Sequence, residues 1–554
     1  MKRPSTLVIA LLGSLLMWAA QPPLALDWLG WIAPVPWIAL VRQQGLKGRR
    51  PYGKLWFAAL VFWLAALHWL RLPHPAVYLG WFALSAYLAV YLPLFVGLSR
   101  VAVHRLRVPL WLAAPVVWTG LELARAHVMT GFMMGSLAHT QAKFPIVIQF
   151  ADLCGEYGVD FVMILVAAAL VDFGFRIAEC GLKRRSPARM LAPLFIAAAV
   201  LASVLVYGDT QLRSPYPLSK ISRIALIQGN SLADWKIDPA KQQQIMREYF
   251  ELSKQAVAKA TMEGNQPIDL LVWPETMFRS PLQSFADGFQ LPAGVKFTKE
   301  EIETSGPRDL ANLTSQLGTP VLVGVDRIVY FNDTSSTVEA PSRELYNSSA
   351  LVDRDGTIRG TYDKYHLVMF GEYVPFSRWF PFLKRLSSLT GAAEAGIGPV
   401  ALELDGVYYA PSICYETVIP HVIRRQVATL DAAGERPDVL VNLTNDAWYW
   451  GSSELDMHLA CDVFRAVETR TPLVIAANGG ISAWIDRHGQ IRAQSPRQTP
   501  DVILADVELN RTELPTFYVR TGDWLAAVCL TCCGILAIIR WRSRHASPAS
   551  DPQH

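Results

Sequence analysis

"GVYYAPSICYE", residues 406–416, is an apolar run of strand length that ends in a cysteine and an acid. Read as a buried strand, it places Cys414 where the strand runs out, and ligands and chemistry collect at strand C-terminal ends in α/β sheets. Read as core filling, Cys414 is one more small apolar residue. The stretch alone leaves both readings open, because free cysteine is among the most buried residue types and its reactivity depends on its surroundings.

Those surroundings, residues 209–523, alternate apolar runs of strand length with turn signals and amphipathic helices. "ISRIALIQGN" (221–230) predicts a strand, 239–262 a helix, and "IDLLVWPETM" (268–277) a second buried strand. A helix near 307–317 and the strand "PVLVGVDRIV" (320–329) follow. In "YNSSALVDRDGTIRGTYDK" (346–364), Asp-Arg-Asp-Gly reads as a hairpin turn. The alternation continues through "PDVLVNLTND" (437–446), a helix over 454–469, "PLVIAANGG" (472–480) and a last hairpin near 481–493. The pattern predicts an α/β domain with two-sided sheets, which at roughly 300 residues can bury a core of its own.

The rest of the chain has a different character. With 554 residues, 52% hydrophobic and 18% charged, and a mean hydropathy of +0.23, the whole is too apolar for an ordinary soluble enzyme. Apolar runs near 6–21, 27–41, 55–70, 77–98, 108–125, 158–175, 190–207 and 524–540 are candidate membrane spans. They give a membrane domain over 1–208 with about seven transmembrane helices, a C-terminal span over 524–541 and a tail over 542–554. Lys2 and Arg3 precede the first run as they would in a signal peptide; since more spans follow and no clean cleavage motif appears, it is read as a retained anchor.

Basic clusters at Lys2/Arg3, Arg42/Lys47/Arg49/Arg50/Lys54, Arg100/Arg105/Arg107, Lys183/Arg184/Arg185/Arg189 and Arg540/Arg542/Arg544 fall on every second loop. Lysine and arginine favour the cytoplasmic side, so both termini and the tail are expected in the cytoplasm and 209–523 on the far, periplasmic side of a bacterial inner membrane. The Met-rich, apolar stretch 127–157 lies on that far side too, as a lid, a lipid-facing arm or a packing loop. A net charge of +4 without a basic block flanked by aromatics points away from nucleic acid.

Within 209–523 three polar residues stand where predicted strands run out: Glu275 after "LLVWP", Lys364 after "GTYD" and Cys414 after "YYAPSI". Singly, Glu275 could cap a helix, Lys364 could solvate a hairpin end and Cys414 could be core. Together they supply what acyl transfer through a thiol needs: a base for the thiol proton, a cationic donor for the oxyanion, and the nucleophile.

"WPET" (273–276), "YDKYHLVMFGEYVPF" (362–376), "ICYE" (413–416) and "NDAW" (445–448) resemble the motifs of the nitrilase superfamily, and within it those of the bacterial apolipoprotein N-acyltransferase family. The resemblance covers nearly the whole chain: a multispan N-terminal region, one nitrilase-like αββα sandwich and one C-terminal span. It implies a catalytic triad of Glu275, Lys364 and Cys414, a supporting Glu372, Tyr415 and Glu416 beside the nucleophile, and Trp448 near the substrate entrance. The implied reaction carries an acyl chain from a membrane phospholipid, through a Cys414 thioester, to the α-amino group of the diacylglyceryl-cysteine that begins a lipoprotein. No metal or other cofactor is implied, and the chain is expected to act as a monomer. Two positions depart from the family's pattern: "DWKIDP" gives Trp235-Lys236 where the family reads Lys-Trp, and Ile475 stands before "AANGG" where an arginine is common. The first leaves Trp235 without an assigned role, the second allows a weaker or shifted contact to a substrate headgroup, and neither touches the triad.

Of seven cysteines, Cys529, Cys532 and Cys533 lie in the last span and Cys180 in a cytoplasmic loop, which leaves Cys154, Cys414 and Cys461 on the oxidising side. Three cannot all pair, and none has zinc-ligand spacing with histidine. His366 and His458, near the motifs, are read as structural or peripheral. Two other functions share parts of this pattern. A membrane-tethered nitrilase-type amidase would pass its thioester to water, and a transporter or sensor would carry paired repeats and intramembrane charges, of which Glu122 alone is evident.

Overall fold

The computed structural model describes residues 5–75, 77–180, 187–214, 220–233, 238–264, 266–292, 294–332, 342–369, 371–373, 393–509 and 514–545. Trp235 and Lys236, and the basic cluster at 183–185, lie outside them. The described residues fall into two compact units: one within Met1–Arg71, Tyr78–Arg213 and Thr521–His554, the other within Leu72–Val77 and Ser214–Arg520.

The first unit is helical. Val77–His104, Glu156–Ala178, Met190–Arg213 and Trp524–Ser543 are long and apolar enough to cross a membrane. Thr6–Ala20 and Pro51–Ala66 are shorter apolar helices, and Leu110–His127 carries the buried Glu122–Arg125 ion pair. The expected span at 27–41 is not one helix. It is a 3₁₀ turn, Asp27–Trp31, followed by the helix Val35–Arg42. Pro34 and Pro36 offer no backbone N–H, and eight residues rise only about 12 Å against a hydrocarbon core of about 30 Å. The stretch 127–157 is a packing loop at its centre rather than a free lid, because residues 131–141 are buried. Arg125 donates to the carbonyls of Phe132 (2.9 Å) and Met134 (3.3 Å). Asp160 accepts from the Ser136 hydroxyl (3.0 Å) and the Ala138 N–H (2.8 Å).

The second unit holds thirteen strands among the described residues: β1 (Lys220–Gln228), β2 (Leu270–Val272), β3 (Phe278–Phe285), β4 (Val321–Phe331), β5 (Ser342–Val352), β6 (Ile358–Asp363), β7 (Leu402–Leu404), β8 (Val407–Ile413), β9 (Val439–Asn445), β10 (Leu473–Asn478), β11 (Ala483–Ile485), β12 (Ile491–Gln494) and β13 (Asp501–Leu509). They form two mixed sheets, ordered β13-β1-β2-β4-β5-β6 with β3 on β4, and β12-β11-β10-β9-β8-β7. The inner faces share one apolar core. Ile224, Leu226, Val272 and Leu351 of the first sheet meet Tyr409, Val441, Leu443 and Val474 of the second. Ala225, Ile227, Trp273 and Val323 on the other face of the first sheet pack on Tyr249, Leu252 and Ala256 of the helix Pro239–Met262 and on Leu310 and Leu313 of Lys299–Leu317. The helices Pro420–Ala432 and Glu454–Thr469 cover the second sheet, and Gln426 donates to the β8 carbonyl of Pro411 (2.7 Å). The result is an αββα sandwich. Because β1 is buried on both faces, it reads as a continuous apolar run and not as an alternation.

β13 pairs antiparallel with β1 from Lys220↔Leu509 to Gln228↔Asp501. A bridge between Gly229 and Asn478 ties the end of β1 to the end of β10. The run expected as a strand over 268–277 pairs only at Leu270–Val272, since Pro274 has no N–H to give to the ladder, and the chain turns at Thr276 (φ 52°) into β3. The helix expected near 307–317 begins at Lys299, where Thr298 and Glu301 form a capping box, and runs through Pro307.

Candidate active site

Cys414 stands at the exit of β8 and opens the 3₁₀ turn Cys414–Val418 with a left-handed backbone, φ 55°. That conformation is strained for a residue with a side chain, so its neighbours must hold it. They do so through Glu416, which is fully buried. Its Oε2 accepts from the Ile413 N–H (2.7 Å) and the Tyr362 hydroxyl (2.6 Å), and its Oε1 from the N–H groups of Tyr365 and His366 (both 3.1 Å). One carboxylate thus locks the turn after β8 to the chain leaving β6.

That same exit from β6 places Lys364. Its side chain is buried, with Nζ 2.9 Å from Glu372 Oε1 and 4.0 Å from Glu275 Oε1. Glu275 follows β2 by way of Pro274. Its Oε1 accepts from Asn347 Nδ2 (2.7 Å) and its Oε2 from the Asn445 N–H at the end of β9 (3.0 Å). Asn347 also donates to Glu372 Oε1 (3.2 Å), and Glu372 Oε2 accepts from the Val368 N–H (2.8 Å). Glu275, Lys364 and Cys414, which sequence places at three separate strand ends, converge here from both sheets.

Their charges are coupled. Burial pushes the Cys414 thiol well above its usual range and the Glu275 carboxylate adds to this, while the Lys364 ammonium opposes both. At rest the group is therefore a thiol, with its base beside it. Burial also raises Glu275, Lys364 pulls it back, and the charge of Glu372 raises it further. Burial alone would lower Lys364, but Glu372 and Glu275 outweigh it and keep the ammonium charged far beyond neutral pH. Such an arrangement can serve as a neutral nucleophile, a strengthened carboxylate base and a fixed cation.

Of the other expected site residues, Tyr415 stacks on His366 (ring centroids 6.4 Å apart, planes 11° apart). Trp448 is half-buried in the 3₁₀ turn Asp446–Tyr449 that follows β9. Ile475 is buried in β10, paired with Asn442 and Ala483. Cys154, Cys414, Cys461, Cys529, Cys532 and Cys533 are free thiols.

Sequence reading missed Asn347, which joins the two glutamates from across the sheet, and assigned His458 no part. His458 is buried 3.1 Å from the Cys414 carbonyl, in a cluster with Asp446, Glu454 and Asp462. Asp446, Glu454 and His458 each bring one metal-capable atom within 4.8 Å of the others. The imidazole instead reads as the cation of the cluster, because its Nε2 is taken by a carbonyl and its Nδ1 faces carboxylates. Glu454, His458 and Asp462, spaced by four, form a helix stripe that could have announced the cluster.

An αββα sandwich with Glu, Lys and Cys at its strand ends defines a nitrilase-type enzyme, and residues 223–514 match the carbon-nitrogen hydrolase family. Residues 13–169 match the apolipoprotein N-acyltransferase N-terminal domain. The apolipoprotein N-acyltransferase of Rhodopirellula baltica is 32% identical over 94% of this chain and 95% of its own. That of Geobacter metallireducens is 33% identical over 93% and 92%, and that of Chlorobaculum tepidum 30% over 94% and 92%. An amidase of the nitrilase superfamily from Nesterenkonia AN1 overlaps 55% of this chain and 95% of its own, at 18% identity and a TM-score of 0.34. The chain belongs to the apolipoprotein N-acyltransferase family and is an N-acyltransferase.

Proposed function

We propose that this enzyme moves an acyl chain from a membrane phospholipid to the α-amino group of a lipoprotein's N-terminal diacylglyceryl-cysteine, by way of a Cys414 thioester. Glu275 takes the thiol proton, and the thiolate attacks the ester carbonyl. The oxyanion forms against the Lys364 ammonium, and the lysophospholipid leaves with the proton that Glu275 returns. In the second half Glu275 accepts the proton of the attacking amine. The tetrahedral intermediate collapses to an amide, and the thiolate leaves and is reprotonated. Glu372 and Asn347 hold base and cation in register, and Tyr415 and Trp448 line the approach. The observation that carries this reading is that a buried thiol, a carboxylate and an ammonium follow the ends of β8, β2 and β6, with Lys364 Nζ 4.0 Å from Glu275 Oε1 and both charges acting on the thiol. The apolar helices suit a multi-pass protein of a bacterial inner membrane, with both termini cytoplasmic and the catalytic unit periplasmic. The chain acts as a monomer, since all three catalytic groups come from one copy.

The test is incubation of purified protein with labelled phospholipid and no acceptor. An adduct cleaved by hydroxylamine is expected, absent from Cys414→Ala and retained by Cys154→Ala and Cys461→Ala. A diacylated lipopeptide with a free α-amine should discharge it, and one with a blocked amine should not. Steady fatty-acid release indifferent to acceptor would replace this reading with a membrane-tethered hydrolase. Topology has its own check: in intact cells a cysteine placed at Gln290 should react with a membrane-impermeant thiol reagent, and one at Lys47 should be shielded. The reverse pattern would put the catalytic unit in the cytoplasm.

A further inference from the structure

We propose that His458 is a positioning residue for the nucleophile: donating from both ring nitrogens, it fixes the peptide plane between Cys414 and Tyr415 and so aims the Tyr415 N–H at the oxyanion. This rests on the acyl-transfer reading above and assigns a second donor to that oxyanion.

The Nε2 contact calls for one ring proton and the charges around Nδ1 for the second. Nε2 lies 3.1 Å from the Cys414 carbonyl oxygen, a group that can only accept, so Nε2 carries a proton. Nδ1 lies 3.5 Å from Asp446 Oδ1 and 3.9 Å from Glu454 Oε1, ion-pair distances that favour a proton there as well. The groups facing the ring come from every side. Thr417 and the Cys414 carbonyl belong to the turn after β8, Asn442 to β9, Asp446 to the turn after β9, and Glu454 and Asp462 to the ring's own helix. Burial would strip the second proton, yet Asp462, Asp446 and Glu454 outweigh it and hold the imidazole at about 10.

The consequence follows from amide planarity. In a trans peptide the C=O and the following N–H point in opposite directions, so pinning the Cys414 carbonyl toward His458 turns the Tyr415 N–H the other way. Glu416 already pins the N–H of Ile413, one peptide further back, between Ser412 and Ile413. With the Thr417 hydroxyl, which also donates to the Cys414 carbonyl (3.3 Å), His458 holds in place a left-handed residue that would otherwise relax.

The experiment compares two reactions of the same thiol in the full-length protein: acylation by a p-nitrophenyl ester, which builds an oxyanion, and alkylation by iodoacetamide, which does not. The nitrophenyl ester keeps the result independent of whether phospholipid is the natural donor; labelled phospholipid is run alongside to test that separately. His458→Leu and His458→Asn should slow acylation at least about tenfold, a fraction of what losing an oxyanion donor outright costs. Alkylation should change little. His458→Gln, whose amide can still reach the Cys414 carbonyl, should recover part of the loss. Parallel loss of both reactions, no loss of acylation, or a failure of all three variants to fold would overturn the proposal and leave His458 a core residue.

Discussion

Glu416 sits behind the nucleophile turn with four donors on its two oxygens: the N–H groups of Tyr365, His366 and Ile413 and the hydroxyl of Tyr362. Glu275, among the described residues, accepts from Asn347 and the Asn445 N–H alone, and Lys364 Nζ stands back at 4.0 Å. Both side chains are buried, both are raised first of all by burial, and both feel the same lysine. What separates them is vacancy. An ionised carboxylate offers about four lone-pair directions; when all are taken it is an anchor, and when some face a thiol it is a base.

That contrast can be broken most directly at Glu275. Glu275→Gln keeps the shape and removes the basicity, and should cost the acylation step about 10²–10⁴ in rate; its amide nitrogen would face a single donor, so stability should fall less than in Glu416→Gln. A near-wild-type rate would mean that some other group takes the proton. Lys364→Ala should cost about 10²–10³, measured as the rate of adduct formation at saturating donor. Glu416→Gln should act through stability instead. Its amide nitrogen would face N–H donors, at a cost of about 1–3 kcal/mol read from denaturant or thermal unfolding, and the rate per folded molecule should fall less than in Glu275→Gln. If Glu416→Gln instead spared stability and abolished acylation, the two roles would have to be exchanged.

The smallest effect is a shift in pH dependence. Acylation needs ionised Glu275, and burial together with the charge of Glu372 raises that group against the pull of Lys364. The rate should therefore begin to fall, as pH is lowered, at a value above the ordinary glutamate figure of about 4.3. Glu372→Gln removes one of the raising charges and should move this limb to lower pH. A limb at or below the ordinary value in the wild type, or an upward shift in the variant, would contradict the electrostatics described.

The sequence made the catalytic groups legible because each follows a run whose apolar pattern marks a strand, and strand ends converge. Their supports were less visible for a physical reason. Asn347 reaches Glu275 across the first sheet, and Asn445 does so through its backbone N–H, which carries no residue signature. The helices 239–262 and 454–469 were read to the residue because their apolar periodicity has clear limits. β3 went unread because it follows Pro274 so closely that the two segments look like one. β13 went unread although it alternates, with Asp506 turned outward to pair with Arg223 (2.7 Å). Pro307 misled in the opposite direction: proline is favoured in a helix's first turn, and here it stands well inside one.

β13 also bears on how the protein is made. The partner of β1 along nine positions is the last strand of the unit, and Glu275, Lys364 and Cys414 all precede it in the chain. Since polypeptides emerge from the N-terminus, β1 waits with an open hydrogen-bonding edge until residues 501–509 arrive, and open edges invite mispairing. A chain released early, after Cys414 but before Asp501, would carry every reactive group on an unfinished sheet. Completion of translation, and not the appearance of the cysteine, therefore sets the moment at which this enzyme can acquire its chemistry.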